Sequence, residues 1–485
     1  MEHVTELLVE KMVPGGLGLA RLAGEVILLA DALPGETVLA ELSERRRGVR
    51  RGRVVSVLRA SELRAVPDCP LAGRCGGCDF LHVRPEAALE LKGRAALGEL
   101  AEAAGLELEL LESPLRERYR SRATLHLGPD GPGRPGVGFM APGLSSQVGS
   151  GLVEFEDCRL LAPELLELVP PLKQWASGLP AKTPPFDISL MKGVTGSGRM
   201  ICFSPPPRPA ADGGPETAPK HKGGPRGANR RRKFSSTGGD RAGSLSGDQA
   251  ADFFSALERL PRLLADHDLG AVSVFARIKP GAAPRKISST GPDRLAAAFW
   301  PQWDLTLSAA PGGFTQVNPG VNQLMVEKIL RLAEGLKGGG PPPKALDLYS
   351  GLGNIALPLL KSGFAVTAVE QAPESGTAAR NNARALGGFT FISGRSEETA
   401  ADLARQGRVF DLIVLDPPRS GAPGLAPTLA ALKPRLIVYL ACHPAVLPRD
   451  LPALASLGFQ LRSLSALDMF PRTSHLEALA VLARA

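Results

Sequence analysis

Asp347-Leu-Tyr-Ser-Gly-Leu-Gly-Asn354 follows an apolar run and precedes a helical stretch, and its reading decides the fold of the C-terminal half. Glycines in a strand-to-helix turn let the backbone approach a ligand closely at the carboxyl end of a strand, where open α/β sheets bind cofactors. The neighbouring sequence keeps the same rhythm. Apolar runs FAVTAVE (364–370), FDLIVLD (410–416) and RLIVYLA (435–441) alternate with helical stretches such as PESGTAARNNARAL, and HLEALAVLA forms a last strand. From about residue 305 this predicts a parallel, doubly wound sheet. Glu370 ends the strand after the glycine turn, where a carboxylate can accept hydrogen bonds from ribose hydroxyls.

Two further stretches fall on the same predicted edge. Asp416-Pro-Pro-Arg419 ends FDLIVLD, and consecutive prolines make a stiff, extended loop able to present Asp416 and backbone carbonyls to a planar base. Cys442 follows RLIVYLA in Tyr439-Leu-Ala-Cys-His-Pro444, and Glu477 follows in the last motif. A cysteine after an apolar strand is often inert. Beside a cofactor turn and a rigid Asp-Pro-Pro loop it becomes a candidate nucleophile, with Glu477 a candidate base. The turn lacks the Gly-x-Gly-x-x-Gly of dinucleotide sites, and Asp347 at the strand end is typical of S-adenosylmethionine (SAM) enzymes.

Upstream, VTELLVEKM, EVILLAD, ETVLAEL and RGRVVSVL alternate with turn signals and predict a small OB-type β-barrel. The chain carries +8, from 57 Lys+Arg against 49 Asp+Glu. Residues 41–64 hold eight Arg and three Glu, and residues 204–248 hold nine Lys/Arg and four Asp/Glu, which leaves the rest near −2. Two short segments thus carry the excess, as expected for a polyanion partner such as RNA. Segment 204–248 has sixteen Gly/Pro, one Leu and one Phe, so it is expected to be a disordered insertion, with NRRRKF as its basic core. Its part in RNA binding is open. The 44% hydrophobic and 22% charged content excludes a wholly disordered chain. MEHVTELLVEKM lacks the form of a signal peptide, and no apolar stretch has membrane-spanning length, so a cytoplasmic protein is expected.

Six cysteines are too few for a disulfide scaffold. Cys69, Cys75 and Cys78 lie in CPLAGRCGGC, with Cys158 a distant candidate fourth ligand. Four thiolates suit zinc or a [4Fe–4S] cluster, and spacing does not separate the two. Cys202 in RMICFS reads as a core residue.

Phe314-Thr-Gln-Val-Asn318, DLYSGLGN, Val369-Glu370, LDPPRSG, ACHPAVLPRDL and DMFPRTSHLE stand in one order over 305–485. Together they resemble the RNA uracil-5-methyltransferases, SAM-dependent enzymes that make 5-methyluridine. RERYRSRATLHL and GFMAP (138–142) resemble that family's central domain, and the barrel looks like its TRAM domain. The resemblance implies an α/β SAM-dependent Rossmann-like methyltransferase domain over 305–485. It also implies an RNA-binding TRAM barrel over 1–62 and a mixed α+β central domain over 63–304. Cys442 is then the nucleophile and Glu477 the base. Gln316, Tyr349, Glu370 and Asp416 are the SAM contacts, and Phe314 stacks on the target base. Resemblance to the 23S ribosomal-RNA branch, with tRNA as the alternative substrate, shifts the cysteine site to a [4Fe–4S] cluster held by Cys69, Cys75, Cys78 and Cys158. A monomer is the default. Three positions depart from the family: Ser350 for a common Cys, His443 for an Asn, and Arg395 for an Asp that contacts the adenine region. An amino-methyltransferase needs no Cys442, and an RNA-binding protein with a decayed site needs no turnover; both are separable by assay.

Overall fold

Alternation of apolar and polar residues closes the N-terminal segment on itself. The computed structural model describes residues 4–43, 45, 49–130, 134–142, 151–196, 198–206, 247–277, 282–289 and 291–484. Strands β1 (Val4–Val13), β2 (Leu17–Leu22), β3 (Glu25–Ala30), β4 (Thr37–Leu42) and β5 (Arg50–Arg59) form a closed barrel in the order β1-β2-β3-β5-β4. Leu7, Val9, Ala20, Ile27, Leu29, Val38 and Ala40 fill it. The four apolar runs of the sequence omit β2, because Gly18 and Arg21 break the apolar pattern of LGLARL. Glu36, fully buried, accepts from the backbone N–H of Leu33 and Ser61 and from Arg64, and so ties the barrel to the chain leaving it. The arginine cluster is partly paired within the barrel: Arg45 and Arg50 meet Glu25 at 3.3 and 3.6 Å, and Arg53 meets Glu41 at 3.1 Å.

Helix α1 (Pro85–Ala103) and strand β6 (Leu108–Leu111) lead out of the cysteine segment. A seven-stranded sheet follows, from β7 (Arg122–Asp130), β8 (Arg134–Met140), β9 (Leu152–Val153), β10 (Phe186–Lys192), β11 (Arg199–Ser204), β12 (Val272–Ala276) and β13 (Arg285–Ser289). Short helices that include Leu165, Leu172 and Trp175 cover its apolar face. Cys202 lies on β11 and is buried, as a core residue should be. The insertion 204–248, with its NRRRKF core, lies outside the described residues apart from its ends.

A hairpin, β14 (Leu295–Trp300) and β15 (Leu305–Ala309), precedes the C-terminal sheet. That sheet contains β16 (Lys344–Leu348), β17 (Ala365–Glu370), β18 (Phe389–Ser393), β19 (Leu412–Leu415), β20 (Leu436–Ala441), β21 (Phe459–Leu467) and β22 (Glu477–Arg484). The order is β18-β17-β16-β19-β20-β22-β21-β6, parallel from β18 to β20, with β22 antiparallel to both of its neighbours. The eighth strand, β6, is recruited from far upstream and runs parallel to β21. Strands buried on both faces read as continuous apolar runs, and an apolar layer packs on each side. The strand order reverses between β16 and β19, which opens a crevice at their carboxyl ends. Among the described residues no helix is long and apolar enough to cross a membrane.

Candidate active site

The crevice is lined by Gln316, Asp347, Tyr349, Ser350, Asn354 and Asp416 among others. Its floor is built by β16. Tyr349, the residue after that strand, adopts φ +62°, and Gly351 and Gly353 follow at +57° and +94°. A side chain in the left-handed region is uncommon outside glycine, and here it turns the chain back over the strand end. The Tyr349 hydroxyl donates to Glu397 at 2.9 Å, while its N–H donates to Ser396 Oγ at 2.9 Å. Glu370 ends β17 beside the glycine turn. Its carboxylate accepts from Gly351 N–H at 3.0 Å and from Ala372 N–H at 2.6 Å, holding the glycine turn against β17. Asn322 and Asn354 form a reciprocal amide pair at 2.9 and 2.7 Å. This pair joins the helix Pro319–Glu334 to the turn.

Asp347 is 1% exposed, and burial followed by Asp416 holds its carboxyl well above the usual range. Its Oδ2 and Ser350 Oγ are buried without a hydrogen-bond partner. Buried polar atoms without partners are costly in a protein interior. Both belong to residues lining the cavity, so the donor set fits a polar ligand such as SAM.

The catalytic-edge residues come from three separate strands. Ala441 of β20 pairs with Ala478 of β22, so Cys442 and Glu477 lie one step beyond the same end of that register pair. Leu348 of β16 pairs with Leu415 of β19, and Asp416 extends that pair. Burial, then Glu477 and Asp416, push the Cys442 thiol up, and Arg419 opposes them. Burial and Asp416 push Glu477 up to about 8, and burial pushes Asp416 up to about 6. His443 is exposed. Arg395 is exposed at the start of helix Ser396–Arg405, 3.5 Å from Glu398.

A second, wider cleft opens beside the first, with Arg120, Arg122, His126, Phe314 and His475 on its walls. Phe314 is 62% exposed and lines both hollows, with the Arg122 guanidinium 5.7 Å from its ring centre. Arg120, Arg122 and His475 stand in motifs the sequence displays, RERYRSRATLHL and DMFPRTSHLE. Only their convergence on one cleft was hidden. Asn322 carried no signal beyond its helical spacing from Asn318.

Cys69, Cys75, Cys78 and Cys158 all line one pocket, walled by Leu71, Phe139 and Phe155. Burial pushes the Cys75 and Cys158 thiols up, and burial and Cys158 push Cys78 up to about 12. Among the described residues no group of three or more His, Cys, Asp or Glu is gathered closely enough to hold a metal ion. Arg120 lowers the cost of thiolate charge at Cys75, Cys78 and Cys158.

The doubly wound sheet places a ligand crevice at its topological switch point. A family model described as tRNA (Uracil-5-)-methyltransferase matches residues 304–485. A 23S rRNA (uracil(1939)-C(5))-methyltransferase RlmD of Shewanella amazonensis is 30% identical, covering 96% of this chain and 92% of that protein. The RlmD of Klebsiella pneumoniae is also 30% identical, covering 99% and 96%. The chain belongs to the RNA uracil-C5-methyltransferase family. Its fold matches that of the Pyrococcus abyssi tRNA (uracil-54, C5)-methyltransferase, solved with S-adenosyl-L-homocysteine, at TM-score 0.67 and 22% identity, over 99% of this chain and 100% of that one.

Proposed function

We propose that the chain methylates a uracil C5 in 23S rRNA, with Cys442 as nucleophile and Glu477 as base. The observation that carries this reading is the placement of Cys442 and Glu477 one step beyond the same end of the Ala441–Ala478 register pair, with Asp416 of the cofactor cavity close enough to shift both. Uracil C5 is a weak nucleophile. A target base leaves its stack and enters between the clefts, with Phe314 as its stacking surface. Cys442 Sγ, as thiolate, forms a bond to C6, and the electron pair of the C5–C6 bond passes into an enolate that makes C5 nucleophilic. SAM, when bound in the crevice, supplies an electrophilic methyl group to that carbon. Glu477 then removes the C5 proton, and the returning electron pair expels Cys442 Sγ and restores the C5–C6 bond. Gln316, Tyr349 and Asp416 contact SAM, and Glu370 acts through the turn it holds as well as on the ribose.

We assign the barrel, 1–62, as a TRAM RNA-binding domain, 63–304 as the central domain and 305–485 as the methyltransferase domain of a cytoplasmic monomer. Cys69, Cys75, Cys78 and Cys158 would hold a [4Fe–4S] cluster. The reading is supported by the four cysteines lining one pocket, Cys69, Cys75 and Cys78 from one loop and Cys158 from a distant one. Arg120 and Arg122 in the wide cleft supply phosphate contacts.

The test is mass-spectrometric mapping of 5-methyluridine in 23S rRNA from a deletion strain, complemented with wild type or Cys442→Ala. Loss of one modified uridine in the deletion, restored only by wild type, supports the reading. An unchanged map would sink the substrate, and restoration by Cys442→Ala would sink the covalent route.

A further inference from the structure

The segment 468–476 connects β21 to β22 and delivers Glu477 and His475 to the clefts, yet its own shape is imposed from elsewhere. Arg472 adopts φ +69°, a conformation an arginine rarely holds without outside support. Its guanidinium pairs with Asp68 and also meets Glu117 Oε1 at 2.6 Å. Two residues on, Ser474 is gripped twice by Asp79: its N–H donates to Oδ1 at 2.7 Å and its hydroxyl to Oδ2 at 2.6 Å. The carbonyl of Arg472 accepts from Phe80 N–H at 3.3 Å. Asp68 is adjacent to Cys69, and Asp79 and Phe80 immediately follow Cys78. Arg472 itself lines the four-thiol cavity. From the other side, the buried Lys92 of α1 holds Asp468 at 2.7 Å and His475 O at 3.3 Å.

We propose that Arg472 and Ser474 are positioning residues through which the cysteine loop, by way of Asp68 and Asp79, sets the placement of Glu477. The consequence is that filling or emptying the thiol site is felt at the base, although the site itself takes no part in the chemistry. This rests on the proposed roles of Glu477 and the cysteines. The physical logic is a short chain of bonds: the cysteine loop fixes Asp68 and Asp79, these fix 472 and 474, and Glu477 begins β22 three residues later. An error of about 1 Å in the placement of a reacting group costs up to about 100-fold in rate.

The experiment uses the full-length purified protein with its metal content assayed. Arg472→Gln, Asp79→Ala and Asp79→Asn are compared with wild type for kcat, KM for SAM, and accumulation of the covalent RNA adduct. Asn can restore both contacts to Ser474, as acceptor through its oxygen and donor through its amide. The expected result is a kcat loss of about 10- to 100-fold in Arg472→Gln and Asp79→Ala, with KM for SAM little changed. Adduct builds up because proton removal slows, and Asp79→Asn recovers most of the rate. Hydrogen exchange of peptide 468–476 gives a second reading without turnover: it rises in both damaged variants, and also in wild type stripped of metal. Unchanged kcat and exchange in Arg472→Gln and Asp79→Ala would overturn the proposal. A kcat loss with no adduct gain and no recovery in Asp79→Asn would overturn it as well. Failure of the underlying reading looks different: Glu477→Gln would trap no adduct, or wild type would contain no metal.

Discussion

Cys442 and Glu477 lie one step beyond the same end of the Ala441–Ala478 pair, the last register step between β20 and β22, so an antiparallel ladder sets the spacing of nucleophile and base. Ladder hydrogen bonds hold the two backbones at a fixed separation, and the thiol and carboxyl inherit that rigidity. The first prediction follows. Cys442→Ala abolishes methylation and leaves SAM binding by calorimetry unchanged, because Cys442 is not among the residues lining the cofactor cavity. Glu477→Gln retains addition and methyl transfer but lacks a base, so a shifted protein–RNA band appears on a denaturing gel.

The raised Glu477 carboxyl also predicts a pH dependence of stability. Its ordinary value is 4.5, and burial and Asp416 push it up to about 8. Below the lower value the folded and unfolded chains are both protonated and nothing is lost. As pH rises from there through about 8, the unfolded chain gives up its proton first, and the folded state loses stability relative to it. Melting temperature should therefore fall across that window in wild type, and fall less steeply in Glu477→Gln. Equal slopes in the two proteins would contradict the assignment.

Glu370 offers a separable test of the cofactor side. It accepts from the N–H groups of Gly351, which lines the cavity, and of Ala372. Glu370→Ala should weaken binding of S-adenosyl-L-homocysteine about tenfold or more, as expected for loss of charge-assisted bonds. RNA affinity should stay within about twofold of wild type, below the effect of a single typical hydrogen bond.

The thiol cavity predicts a metal content. Wild type purified without oxygen should carry iron and inorganic sulfide with visible absorbance, and Cys78→Ser should lose most of it. Stoichiometric zinc in place of iron would replace the cluster assignment with a mononuclear one.

Salt dependence reports on the basic residues. Arg120→Gln and Arg122→Gln should each weaken RNA binding and lower the slope of log affinity against log salt by about one. Deleting 204–248 tests the second basic segment in the same assay: an unchanged slope assigns its charge no phosphate contact.

Much of this was legible in the chain because some physical signals are local. Period-two alternation announces strands, a glycine turn after a strand announces a cofactor edge, and ALDLY, FDLIVLD and RLIVYLA are apolar nearly throughout, without a polar residue at every second position, because strands buried on both faces have no wet side. Four of the five barrel strands showed themselves, but LGLARL did not, since glycine and arginine mask its alternation. Strand β6 was also hidden: four residues of LELL carry no information about which distant edge they will join.

The sequence alone was enough for the α/β class, the order of the motifs and the identity of Cys442, Glu477 and the four cysteines as chemical candidates. These rest on residue type and short-range pattern, which the chain carries everywhere. Only the tertiary structure decided that Glu370 holds the glycine turn through Gly351, that Arg45, Arg50 and Arg53 are paired within the barrel, and that the cysteine loop grips 472–474. Each depends on which partners the fold brings within reach, and hydrogen bonds and ion pairs act only over a few ångströms, across separations the linear chain does not encode.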